Sequence, residues 1–241
     1  MRHALAPLSV LGFVLCLCAA TSAGAATMQD TSLRLANGSV LPYGLLVPDD
    51  YKAGRARPLV LALHPGGGRM LYYGSAYASA VVVPALGTLA PIVIAPDCPK
   101  GSWADADAEA AVMALVERTL QTFTIDRRRI LVVGYSMGGR GTWFMASRHQ
   151  TLFTAAIPMA ASIGDDPPDT LATMPTYIIH SRQDEVVPFA PAEANARALS
   201  ELGRPVVFDA LDTPTHFQMT AYVPALGRAV AWVTAQWNAR R

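Results

Sequence analysis

Ile130-Leu131-Val132-Val133-Gly134-Tyr135-Ser136-Met137-Gly138-Gly139-Arg140-Gly141 is the stretch from which the rest of the chain can be read. Its first four residues are apolar without polar alternation, as suits a strand buried on both faces. Its last residues run into Thr142-Trp143-Phe144-Met145-Ala146, which reads as the start of a helix. Between them stands Gly-x-Ser-x-Gly. A strand that turns sharply into a helix strains the serine backbone, and glycines two residues to either side let strand and helix approach closely. Alone, the pentapeptide also fits a Gly-rich turn with a capping serine. The strand before it and the helix after it favour a nucleophile elbow, with the Ser136 hydroxyl at the end of the strand.

Outward from this point the chain alternates strand-like and helix-like blocks. Short apolar runs recur at Leu59-Val60-Leu61-Ala62-Leu63, Ile92-Val93-Ile94-Ala95, residues 154–159, residues 176–179 and Val206-Val207-Phe208. From residue 110, Val112, Leu115, Val116, Leu120 and Phe123 fall at helical spacing. Residues 190–202 are rich in Ala, Glu and Arg and stop at Gly203, and Leu226, Val230, Val233 and Trp237 form a last apolar stripe. This alternation predicts an α/β fold with a doubly wound, mostly parallel sheet. At the front, residues 31–35 and 39–47 flank Asn37-Gly38, which predicts an antiparallel hairpin with a two-residue turn. Residues 72–83 carry no clear period.

The first 25 residues hold Arg2, an apolar run over residues 8–20 and Ala23-Gly24-Ala25, the pattern of a secretory signal. The expected mature chain is one catalytic domain over residues 26–241, in the periplasm or secreted. The apolar run is short of the roughly 18 residues a membrane span needs, so stable membrane insertion is not expected. Removing the signal takes Arg2 away and leaves 18 basic against 18 acidic side chains. Such a balance gives no electrostatic footprint for nucleic acid. Arg127-Arg128-Arg129 reads as a solvated turn. Cys98 is the one cysteine beyond the signal, which excludes an intramolecular disulfide in the mature chain.

A serine hydroxyl needs a base to take its proton and a carboxylate to hold that base in one tautomer. Asp184 falls just past the 176–179 strand, where open α/β sheets assemble their sites, and His216 follows the last strand. Ser136, Asp184 and His216 thus stand in the chain order this architecture imposes. His64, His149 and His180 lack the right position; Glu185, Asp209 and Asp212 are the rival acids. An oxyanion needs two backbone N–H donors. One is expected from Met137 at the helix N-terminus. The other is expected from Gly66 or Gly67 in His64-Pro65-Gly66-Gly67-Gly68, since Pro65 has no N–H to give. Trp103 and Tyr135 are candidate substrate-binding residues. No His/Cys/Asp/Glu set has metal-ligand spacing, and the glycine loop lacks a P-loop lysine, so no metal or cofactor is expected.

Leu63-His64-Pro65-Gly66-Gly67-Gly68, Asp97-Cys98-Pro99-Lys100-Gly101-Ser102-Trp103, and Asp126-Arg127-Arg128-Arg129-Ile130 leading into the elbow together resemble the α/β-hydrolase superfamily. Within it they are similar to lidless secreted esterases related to polyester depolymerases, feruloyl esterases and predicted peptidases. The resemblance implies a single hydrolase domain without a large lid, acting on small-molecule or polymer-end esters through an acyl-enzyme. Pro65 departs from those relatives, which have glycine after the loop histidine. A peptidase or acyltransferase would use the same triad, and a non-catalytic binding protein on this fold would need none of it.

Overall fold

A computed structural model of the chain describes residues 26–67, 70–164, 170 and 174–239. The expected signal at residues 1–25 and Gly68 of the glycine loop lie outside the described residues.

Among the described residues, eight strands form one sheet: β1 (Gln29–Arg34), β2 (Val40–Leu46), β3 (Arg57–Leu63), β4 (Ile92–Pro96), β5 (Ile125–Tyr135), β6 (Ala155–Met159), β7 (Thr176–Ser181) and β8 (Val206–Leu211). Their spatial order is β1-β2-β4-β3-β5-β6-β7-β8. β1 pairs antiparallel with β2 and β2 antiparallel with β4; every later pairing is parallel. The doubly wound, mostly parallel α/β sheet with an antiparallel start is therefore present.

Strand side chains alternate between two apolar cores, because successive residues point to opposite faces. Val60, Ala62, Leu131 and Val133 meet α1 (Tyr73–Tyr77), the π-helical turn Ala78–Val82, α2 (Val83–Leu86) and α6 (Val223–Ala239) on one face. Leu59, Leu61, Leu63, Ile130 and Val132 meet α3 (Ala106–Thr122), α4 (Met137–Arg148) and α5 (Phe189–Glu201) on the other. Each large aliphatic side chain removed from water in this way contributes roughly 1.5–3 kcal/mol. The uninterrupted apolar runs follow directly: both faces of the central strands are covered.

Three local expectations are corrected. The hairpin turn holds three residues rather than two: Leu35 N–H donates to Ser39 O at 2.9 Å, Gly38 N–H to Leu35 O at 2.9 Å, and Gly38 has φ +83°. A three-residue loop closed by a left-handed glycine suits the strand twist as well as a two-residue loop does. Arg127-Arg128-Arg129 is not a free turn but lies within β5, in an irregularity where pairing jumps from Arg57–Ile125 to Leu59–Ile130. Asp126 holds it, accepting from Arg128 N at 3.0 Å and from Arg129 Nε at 2.8 Å. Finally, α3 begins at Ala106, four residues earlier than the periodicity suggests, because Asp105 caps it by accepting from the amides of Asp107 and Ala108.

Candidate active site

β5 ends at Tyr135 and α4 begins at Met137, leaving Ser136 alone in the turn with φ 54°, ψ −115°. That conformation is strained for a residue with a side chain and persists because its surroundings hold it. Ser136 N–H donates to Met159 O, and Ser136 O accepts from Arg140 N, both at 2.9 Å. The flanking glycines are dictated by space. A Cβ on Gly134 would lie 2.2 Å from Gly138 O, and one on Gly138 would lie 1.8 Å from Leu63 O.

Two segments far apart in sequence converge on this turn. His216, in the loop after β8, has Nε2 2.8 Å from Ser136 Oγ. Its Nδ1 lies 2.8 Å from Asp184 Oδ2 and 2.9 Å from Oδ1. Asp184 sits just beyond β7 with its side chain fully buried, and its Oδ1 also accepts from Val186 N at 3.0 Å and Val187 N at 2.7 Å. Burial alone pushes the Asp184 carboxyl up, but hydrogen bonds from His180, His216 and the amides of Val187 and Val186 outweigh it and bring it to about 2. The carboxylate is thus held ionised across the neutral range.

The His216 backbone is clamped from two sides. Its N–H donates to Glu185 Oε2 at 2.9 Å and its carbonyl accepts from Tyr135 Oη at 2.8 Å. Glu185, a rival acid in the sequence, therefore holds the histidine's main chain rather than its ring. Asp209 is taken by Arg228 and by Tyr177 Oη, and Asp212 lies 3.5 Å from Arg182. The other histidines are also accounted for. His149 meets Glu109 at 2.8 Å, and His180 is buried behind Asp184.

His64 is the support of the glycine loop. Its Nδ1–H donates to Pro65 O at 2.6 Å, its Nε2 accepts from Cys98 N at 3.0 Å, and its carbonyl accepts from Trp103 Nε1 at 3.0 Å. Burial holds this imidazole below the ordinary histidine range, as its acceptor role toward Cys98 requires. The scaffold brings Gly66 beside Met137: a Cβ on Gly66 would stand 3.6 Å from Met137 Cβ. Gly67 follows with φ +115°. Met137 is the first residue of the twelve-residue α4, so its amide belongs to the positive end of a helix.

Trp103 and Tyr135 do not line an open pocket. Both are 1% exposed. Trp103 packs edge-on against His64 with ring centroids 5.1 Å apart, while Tyr135 lies beneath the ring of His216 at 5.5 Å. They build the site from below. The large apolar groove of about 460 Å³ lined by Leu46, Val82, Val83, Leu86 and Val93 lies toward the amino ends of the parallel strands, away from Ser136. Cys98 is half-buried, and burial pushes its thiol up, away from thiolate chemistry.

The sequence pattern of the PET hydrolase-like family matches residues 67–233, well over half of the chain. The chain belongs to the PET hydrolase-like family. This PET hydrolase-like chain is 27% identical over 157 residues to "Probable feruloyl esterase C" of Aspergillus niger, a match covering 61% of the chain and 56% of that relative. It thus spans little more than half the length of the curated relative. The crystal structure of a thermostable esterase superposes with a TM-score of 0.74 at 26% identity, covering 86% of this chain and 62% of the other. A ferulic acid esterase structure shares the fold with a TM-score of 0.73 at 15% identity, over 88% of this chain and 99% of that one. These likenesses agree with the α/β-hydrolase architecture described above. Among the described residues no inserted domain covers Ser136, and no cluster of three or more His, Cys, Asp or Glu could hold a metal.

Proposed function

We propose that the protein is an exported serine hydrolase that cleaves carboxylic esters. The observation that carries this reading is the unbroken hydrogen-bond chain Ser136 Oγ–His216 Nε2, His216 Nδ1–Asp184, built on a strained elbow. Ser136 Oγ attacks the ester carbonyl carbon while His216 Nε2 takes its proton; Asp184 keeps the Nδ1–H tautomer and stabilises the imidazolium. The amides of Met137 and Gly66 hold the oxyanion, with Gly67 as the neighbouring donor. Collapse of the tetrahedral adduct passes the His216 proton to the leaving alcohol. Water then repeats the sequence on the acyl-enzyme, releasing the acid and restoring Ser136.

Esters of aromatic acids are first among the candidate substrates, a choice supported by the names of the matching family and relative, PET hydrolase-like and feruloyl esterase. A panel of acetyl, long-chain and hydroxycinnamoyl esters and peptide amides, run with wild type and Ser136→Ala, tests the reading. Wild type is expected to hydrolyse esters and leave the amides intact. Ser136→Ala is expected to lose at least about a thousandfold in turnover while keeping its melting temperature. An Ser136→Ala variant that retains ester turnover would falsify the assignment of the nucleophile.

A further inference from the structure

We propose that His180 is a positioning residue for the proposed triad: its Nε2–H, shared between Val187 O and Asp184 Oδ2, locks the carboxylate that orients His216. The proposal rests on the serine-hydrolase reading of the site.

His180 is the penultimate residue of β7, four residues before Asp184, and both side chains are fully buried. Its Nε2 lies 3.0 Å from Val187 O and 3.4 Å from Asp184 Oδ2. A carbonyl oxygen can only accept, so the proton must be on Nε2. Nδ1 is buried without a partner. A second N–H there would face no acceptor, at a substantial desolvation cost, so the ring carries one proton and no charge.

Both oxygens of Asp184 are engaged by donors, and His216 Nδ1 lies within reach of each. Oδ1 takes the amides of Val186 and Val187; Oδ2 faces His216 Nδ1 and His180 Nε2. Donors on both oxygens restrict the rotation of the carboxylate, and with it the freedom of the imidazole it holds. A neutral donor does this without cancelling the charge. A cation in the same place would compete with the His216 imidazolium that forms as Ser136 attacks.

Most ionisable neighbours are engaged elsewhere, while Tyr222 Oη is buried without a hydrogen-bond partner. Glu185 holds His216 N, Tyr135 holds His216 O, and Tyr222 packs edge-on against Tyr135 at 4.9 Å. Arg182 lies over Phe189, whose ring meets His180 edge-on at 5.9 Å, and pairs with Asp212. Asp209, on the neighbouring strand, is bound by Arg228.

The test compares His180→Gln, which keeps an N–H donor, with His180→Met, of similar length and without one. His180→Met is expected to lose about ten- to a hundredfold in kcat with KM little changed. Its acid limb of kcat/KM should move up by about half a pH unit, since an Asp184 with fewer donors attracts the His216 proton more strongly. His180→Gln should recover most of the turnover and the wild-type limb. A purely structural histidine would change melting temperature without moving the limb. Because either variant could fail to fold, wild type labelled with 15N-histidine supplies a second measurement. His180 is expected to show the Nε2–H tautomer. A folded His180→Met with wild-type kcat and limb, or an Nδ1–H tautomer at His180, overturns the proposal. Wild type inactive on every ester, with the Nε2–H tautomer in place, counts against the hydrolase reading and leaves the His180 contact standing.

Discussion

Asp184 carries the one buried charge the site has to manage, and its protonation is tied to the stability of the fold. Its carboxyl lies at about 2 instead of the ordinary 3.8, because donors outweigh the burial that pushes it up. A depressed folded-state value means that the unfolded chain takes up the proton first as pH falls. The contribution of Asp184 to stability is therefore complete above 3.8 and disappears as pH drops through about 2. Urea melts of wild type and Asp184→Asn should show a stability gap that is constant near neutrality and closes across that window. A gap independent of pH would mean the carboxylate is not held as described. The residues that support this charge were only partly legible in the sequence. Ser136 and His216 follow from motif and chain order, but Glu185, Tyr135 and His180 act through one atom each, and no spacing signals a single backbone or carboxylate contact.

At the scale of elements, the elbow depends on how closely α4 approaches β3 and β5. Gly138 packs against the carbonyl of Leu63, where a methyl group would stand at 1.8 Å from the oxygen. Gly138→Ala must displace backbone rather than a flexible side chain, and should cost at least about 3 kcal/mol, or roughly 6–12 °C in Tm. Gly66→Ala is the contrasting case: its Cβ meets Met137 at an ordinary 3.6 Å, and the fold should melt within a degree or two of wild type. Thermal melts of the two variants check the difference, and equal melting temperatures would contradict the close packing. The central strands were readable because both of their faces are buried, which leaves unbroken apolar runs. The segment from Tyr73 to Leu86 was not readable, since it passes from α-helix through a π-helical turn and back, and no single period describes it. Likewise Trp103 and Tyr135 could be placed near the strand ends, but an aromatic that walls a pocket and one that underlies it have the same sequence signature.

For the whole molecule, the sheet brings loops from β3, β5, β7 and β8 to one rim, and the proposed triad and glycine loop meet only once all four are in place. The architecture was legible because alternating strands and helices admit few topologies, while the rim geometry depends on packing that no local pattern records. Export was read from residues 1–25, and the chain recovered from an exporting host should begin at residue 26; a retained Arg2 would contradict that reading. The most direct test of the central claim treats folded protein with a fluorophosphonate and locates the adduct by peptide mass spectrometry. Stoichiometric label on Ser136, lost in His216→Ala and in protein unfolded beforehand, is the predicted result. No adduct, or an adduct spread over other serines while Ser136 stays unmodified, would contradict it.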